Sequence, residues 1–89
     1  MIRLNVIYMG RVQGVGFRYT VRQYANQYGI SGWVKNLPDG NVEMVVEGNE
    51  SEIEELLSTI DSHFSGYIRN TKRNHQTVQE NSGDFQIRY

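Results

Sequence analysis

From residue 2 the apolar positions alternate: Ile2, Leu4, Val6 and Tyr8 fall on one face of an extended chain. Ile7 and Met9 fall on the other, so residues 2–9 predict a strand whose second half is covered on both sides, as in the middle of a sheet. The period then changes. Phe17, Val21, Tyr24, Ala25 and Tyr28 follow helical spacing along one stripe, and Gly29 is a natural stop. The helix is expected to begin at Phe17 or Arg18. Residues 30–36 predict a strand. Leu37-Pro38-Asp39-Gly40-Asn41 has turn chemistry: Pro38 presets φ, Asp39 can bond its own backbone, and Gly40 accepts a left-handed conformation. Val42, Met44 and Val46 alternate with Glu43, Val45 and Glu47, so the turn joins two strands of a β-hairpin.

Gly48-Asn49-Glu50-Ser51 opens a second helix. Ser51 and Glu54 are spaced as a capping box, and Glu50, Glu52 and Glu54 suit the positive end of a helix dipole. Ile53, Leu56, Leu57 and Ile60 form its buried stripe. Residues 61–83 carry the weakest pattern. Tyr67, Ile68 and Val78 within them predict an edge strand near 67–78. Phe85, Ile87 and Tyr89 alternate again and predict a short last strand. The order β-α-β-β-α-β, plus a terminal strand, predicts a ferredoxin-like α+β sandwich. Two helices would cover one face of a largely antiparallel sheet of four to five strands. No repeat or linker interrupts residues 1–89, which are expected to form a single domain.

Composition agrees with a sheet: 16 Val and Ile stand against 5 Ala and Leu. Nine basic against ten acidic residues leave a net charge of −1, which disfavours a broad nucleic-acid surface. Cysteine is absent, which excludes a disulfide scaffold, a thiol nucleophile and a cysteine-based zinc site. No apolar run approaches the ~20 residues that span a bilayer, and MIRLNVIYMG lacks the apolar core of a signal peptide. The expected location is the cytoplasm, without membrane partners.

The suggestive chemistry lies between the first strand and the first helix. Gly10-Arg11-Val12-Gln13-Gly14-Val15-Gly16 places three glycines in seven residues, followed by Phe17 and Arg18. Amides of such a loop and of a helix N-terminus converge on an anion, and a guanidinium adds a planar fork for phosphate or carboxylate. Nucleotide patterns do not fit: Phe17-Arg18 stand where a phosphate-binding P-loop needs Lys and Ser or Thr. Tyr19 stands where the dinucleotide pattern needs its third glycine. Anion binding and a plain glycine-rich connection with an exposed arginine both remain open on spacing alone. Asn36, at a strand end, either positions a water through its donor and acceptor or bonds its own turn.

Gly10 to Arg18 resembles the first motif of the acylphosphatases, and Gly32-Trp33-Val34-Lys35-Asn36-Leu37-Pro38-Asp39-Gly40-Asn41-Val42-Glu43 resembles the second. Phe85-Gln86-Ile87-Arg88-Tyr89 is similar to the family's C-terminus. The resemblance spans essentially the whole chain and departs in the polar, basic stretch 67–74. It implies a ferredoxin-like hydrolase that splits the carboxyl–phosphate bond of acyl phosphates into carboxylate and inorganic phosphate, with no metal or cofactor. It also implies a phosphate-binding loop over Gln13, Gly14, Val15, Gly16, Phe17 and Arg18, with Arg18 at the family's essential arginine. The water-orienting asparagine falls on Asn36. A carboxylate leaves as a weak base, so no general acid is demanded, and no acid–base pair stands beside the loop. Partners would be a small acyl phosphate, with inorganic phosphate as product and inhibitor, and the protein would act as a monomer. A chain of 89 residues, starting at Met and ending on the family's terminus, is expected to stand free rather than serve inside a larger carbamoyl-transfer enzyme.

Other residues carry less. His63 and His75 lack metal-ligand spacing, and Asp39 reads as a turn residue. Tyr19, Tyr24 and Tyr28 read as core and boundary packing, and Trp33 as a core or sheet-face residue. Arg69, Lys72 and Arg73 read as a solvated edge that blocks aggregation. The alternative function is a non-catalytic anion- or RNA-binding module on the same sandwich.

Overall fold

A computed structural model describes residues 1–80 and 83–89. Its elements are β1 (Ile2–Gly10), α1 (Phe17–Gln27), β2 (Ser31–Asn36), β3 (Val42–Gly48), α2 (Glu50–His63), β4 (Ile68–Gln76) and β5 (Phe85–Arg88). The strands lie in the order β4-β1-β3-β2-β5. All neighbours are antiparallel except β2 and β5, which run parallel. The two helices pack on this five-stranded sheet, as a ferredoxin-like α+β sandwich requires.

Period-2 alternation decides which side of each strand meets the helices. Leu4, Val6 and Tyr8 of β1, Val42, Met44 and Val46 of β3, and Val34 of β2 are buried with Phe17, Val21 and Ala25 of α1. Ile53, Leu56, Leu57 and Ile60 of α2 close the same core, with Phe64 behind them. The Phe17 ring meets Tyr8 edge-on at 5.0 Å and Phe64 at 4.6 Å, so the first residue of α1 is locked between β1 and the end of α2. The opposite side of β1 is less covered than its sequence suggests: Ile7 and Met9 are only half-buried, because no helix lies over that face. There a buried ion pair joins Arg3 Nη1 to Glu47 Oε1 at 3.4 Å, and the Gln79 amide donates to the same oxygen at 2.7 Å.

The second helix begins differently from the predicted capping box. Asn49 is the cap: its Oδ1 accepts from the Ser51 amide at 3.0 Å and from the Ser51 hydroxyl at 2.7 Å. Starting the helix at Glu50 moves Glu54 past the first turn, where it meets Arg73 of β4 instead. The weak strand expected near 67–78 is a regular nine-residue edge strand, with Val78 beyond its end. Two residues of the featureless stretch 61–83, Asn81 and Ser82, lie outside the described residues.

Candidate active site

β1 ends at Gly10 and α1 starts at Phe17, so the glycine segment is the strand-to-helix connection. Gly14 and Gly16 both adopt φ of +77°, a left-handed backbone that a side chain would strain. Gly16 is the cap of α1, and a glycine brings no side-chain acceptor to the first amides of the helix. The first turn also holds no acidic residue. The positive end of α1 is therefore left without an internal anion, and its amides are available to an external one.

A cavity of about 160 Å³ opens at this helix end, lined by Val12, Gly14, Gly16, Phe17, Arg18, Tyr19 and Asn36. It brings together Arg18, in the first turn of α1, and Asn36, the last residue of β2. The Asn36 Oδ1 atom is buried and has no hydrogen-bond partner in the protein. A buried acceptor left open in this way costs roughly 1–3 kcal/mol unless a donor reaches it.

Six residues make up the predicted phosphate loop, and four of them line the cavity: Gly14, Gly16, Phe17 and Arg18. Val15 packs against the core instead. Gln13 Nε2 donates to the carbonyls of Leu37 and Asn41, both at 2.8 Å. These two carbonyls belong to the turn that follows Asn36, which is closed by Leu37 N to Asn41 O at 2.8 Å. Gln13 thus ties the loop that carries the helix amides to the turn that carries Asn36. Nothing local in the sequence announces this bond, which spans 24 and 28 residues.

Asp39 is a turn residue as predicted, accepting from the Asn41 amide at 3.0 Å. His63 shares a hydrogen bond with the Tyr24 hydroxyl at 3.1 Å, between the helices. Among the described residues no His, Cys, Asp or Glu group is arranged to hold a metal ion. Nor is any described helix long and apolar enough to cross a membrane.

Tyr19 departs from the packing role its sequence position suggested. Tyr24 and Tyr28 do pack against the core, but Tyr19 is 56% exposed and stands on the cavity wall. The guanidinium of Arg22 lies 5.3 Å from its ring centre. Tyr89 stands beside it, its ring centre 4.9 Å from the Arg18 guanidinium. The Tyr89 phenol is held above its usual range, first by its hydrogen bond to Tyr19. The available signal was negative: Tyr19 lies off the stripe Phe17-Val21-Tyr24-Ala25-Tyr28, directly after Arg18.

The acylphosphatase family model matches residues 4–87. An acylphosphatase of Geobacillus kaustophilus is 55% identical over 62 residues, covering 70% of this chain and 66% of its own length. An acylphosphatase of Trichormus variabilis is 54% identical over 57 residues, which span 56% of that relative. An acylphosphatase of Methanothrix thermoacetophila is 39% identical over 88 residues and 98% of its length. Among solved structures, acylphosphatase from Bacillus subtilis superposes with a TM-score of 0.91 at 35% identity, each chain fully covered. HypF from T. kodakarensis gives 0.85 at 30% identity, with this chain covering 12% of it.

Proposed function

This chain belongs to the acylphosphatase family, and from that premise we propose that it hydrolyses acyl phosphates by direct attack of water on phosphorus. Arg18 and the amides of Gly14 to Arg18 hold the phosphoryl oxygens and offset their charge as it redistributes. The observation that carries this reading is the buried, unpartnered Asn36 Oδ1 in the same cavity as Arg18. An acceptor in that position draws the hydrogen of a water and turns its lone pair toward phosphorus. The bond from the water oxygen to phosphorus forms as the bond from phosphorus to the acyl oxygen breaks. The bonding pair leaves with the carboxylate, and the water's proton passes to a phosphate oxygen. Neither step calls on a metal or a cofactor. A single domain over residues 1–89, acting as a monomer in the cytoplasm, belongs to the same reading.

The test is hydrolysis of benzoyl phosphate, followed by ultraviolet absorbance in the presence of EDTA, with Arg18→Ala beside the wild type. Turnover in the wild type and a loss of about 10³-fold in the variant are expected, since both binding and transition-state charge depend on the guanidinium. Near-normal turnover by folded Arg18→Ala would remove the assignment.

A further inference from the structure

An acyl phosphate has an anionic end and an acyl end. The loop amides and Arg18 account for the first. In-line displacement puts the leaving oxygen opposite the attacking water, so a substrate whose water sits at Asn36 sends its acyl group to another wall of the cavity. Few side chains are left there. Gly14 and Gly16 have none, and Val12 and Phe17 are buried in the core at 0% and 2% exposure. Arg18 is engaged with the phosphate. Of the seven lining residues, Tyr19 alone presents an open apolar surface.

Its ring also has a cationic and an aromatic neighbour. The Arg22 guanidinium lies 5.3 Å from its ring centre, and the Tyr89 ring centre lies 4.9 Å from the Arg18 guanidinium. Tyr19 on the cavity lining and Tyr89 against Arg18 thus bring two rings to the side of the anion-binding guanidinium. A tyrosine ring, with only two side-chain torsions, gives large contact area at little cost in freedom when a ligand stacks on it.

We propose that Tyr19 forms the acyl-group subsite of this cavity, and that the chain selects acyl phosphates with aromatic acyl groups over those with the smallest aliphatic ones. The inference rests on the hydrolysis reading above. Contact with the acyl group is much the same in the bound substrate and in the transition state, so its effect falls on KM rather than kcat.

The experiment measures kcat and KM for benzoyl phosphate and for acetyl phosphate in the wild type, Tyr19→Ala and Tyr19→Phe. The ratio of the two kcat/KM values is compared between variants, so that the different reactivities of the two acyl phosphates cancel. In Tyr19→Ala this ratio is expected to fall about 5-fold, through the KM for benzoyl phosphate. In Tyr19→Phe, which keeps the ring, the ratio holds. A parallel fall for both substrates in Tyr19→Ala, with the ratio constant, would show that Tyr19 merely supports Arg18 and would overturn the inference alone. An unchanged Tyr19→Ala would overturn it too. If the folded wild type turns over neither substrate, the hydrolysis reading falls and takes the subsite with it.

Discussion

The connection from Gly10 to Arg18 and the edge strand β4 flank the same strand, β1, yet they are held by different means. β4 pairs with β1 through backbone groups from Arg3↔Gln76 to Gly10↔Ile68. Of its nine residues only Ile68 and Thr71 are half-buried, and the rest are exposed. Almost any residue can supply such a ladder, so a polar, basic sequence suffices and also discourages edge-to-edge association. The connection depends on identity at each point. Gly10, Gly14 and Gly16 all take positive φ, and one glutamine amide supplies both of its hydrogens to a turn far along the chain. Where the backbone leaves its regular path, particular side chains must hold it, and there the proposed chemistry collects.

The largest effect that would sharpen this contrast is expected at Asn36. Asn36→Ala should lower kcat by roughly 10²-fold, since the water loses its orientation. Competitive inhibition by phosphate should persist. Stability should not drop, because the buried Oδ1 has no protein partner to lose. A matching loss of phosphate affinity would make Asn36 a binding residue rather than a water-positioning one.

Gln13 tests the bracing itself. Gln13→Glu keeps the size but sets a carboxylate against the Leu37 and Asn41 carbonyls. The expected cost is about 2 kcal/mol of stability for two lost bonds, with kcat down about 10-fold as loop and turn drift apart. Protonation restores one donor, so the gap to wild type should narrow as pH falls toward the ordinary glutamate range near about 4.3. A gap that stays constant with pH would mean that the donated hydrogens do not matter, and the bracing role would fail.

Most of the fold was legible because each half-buried element repeats its apolar residues at its own period. The helices of residues 17–27 and 50–63 and the hairpin around Pro38 needed no more than that. Pattern alone points to Ser51 rather than Asn49 as the helix cap, because two good cap residues stand two positions apart and only the backbone conformation chooses between them. β4 had no period to read, since its order comes from β1. At the site, glycine spacing and an arginine marked the loop, and the second motif marked Asn36. Gln13's reach and Tyr19's place on the cavity wall are products of tertiary structure: one bond crosses between distant turns, and the other residue is defined by lying off the core stripe.

The smallest expected effect belongs to β4. Arg73 Nη1 reaches Glu54 Oε1 at 3.0 Å and Oε2 at 3.4 Å, tying the edge strand to α2. Both side chains are substantially exposed, at 42% and 54%, so water and salt screen the pair. Arg73→Ala should cost no more than about 0.5 kcal/mol in urea denaturation, and less in high salt. The same substitution removes a positive charge that partly offsets the upward push which burial and Asp61 give the Tyr8 phenol. That phenol is neutral at pH 7 with or without Arg73, so the core beneath β4 should not respond. Hydrolysis of benzoyl phosphate should therefore match the wild type. A clear loss of activity in a folded Arg73→Ala protein would mean that the edge strand and the loop are coupled through β1, and that the division drawn between them is not a division of function.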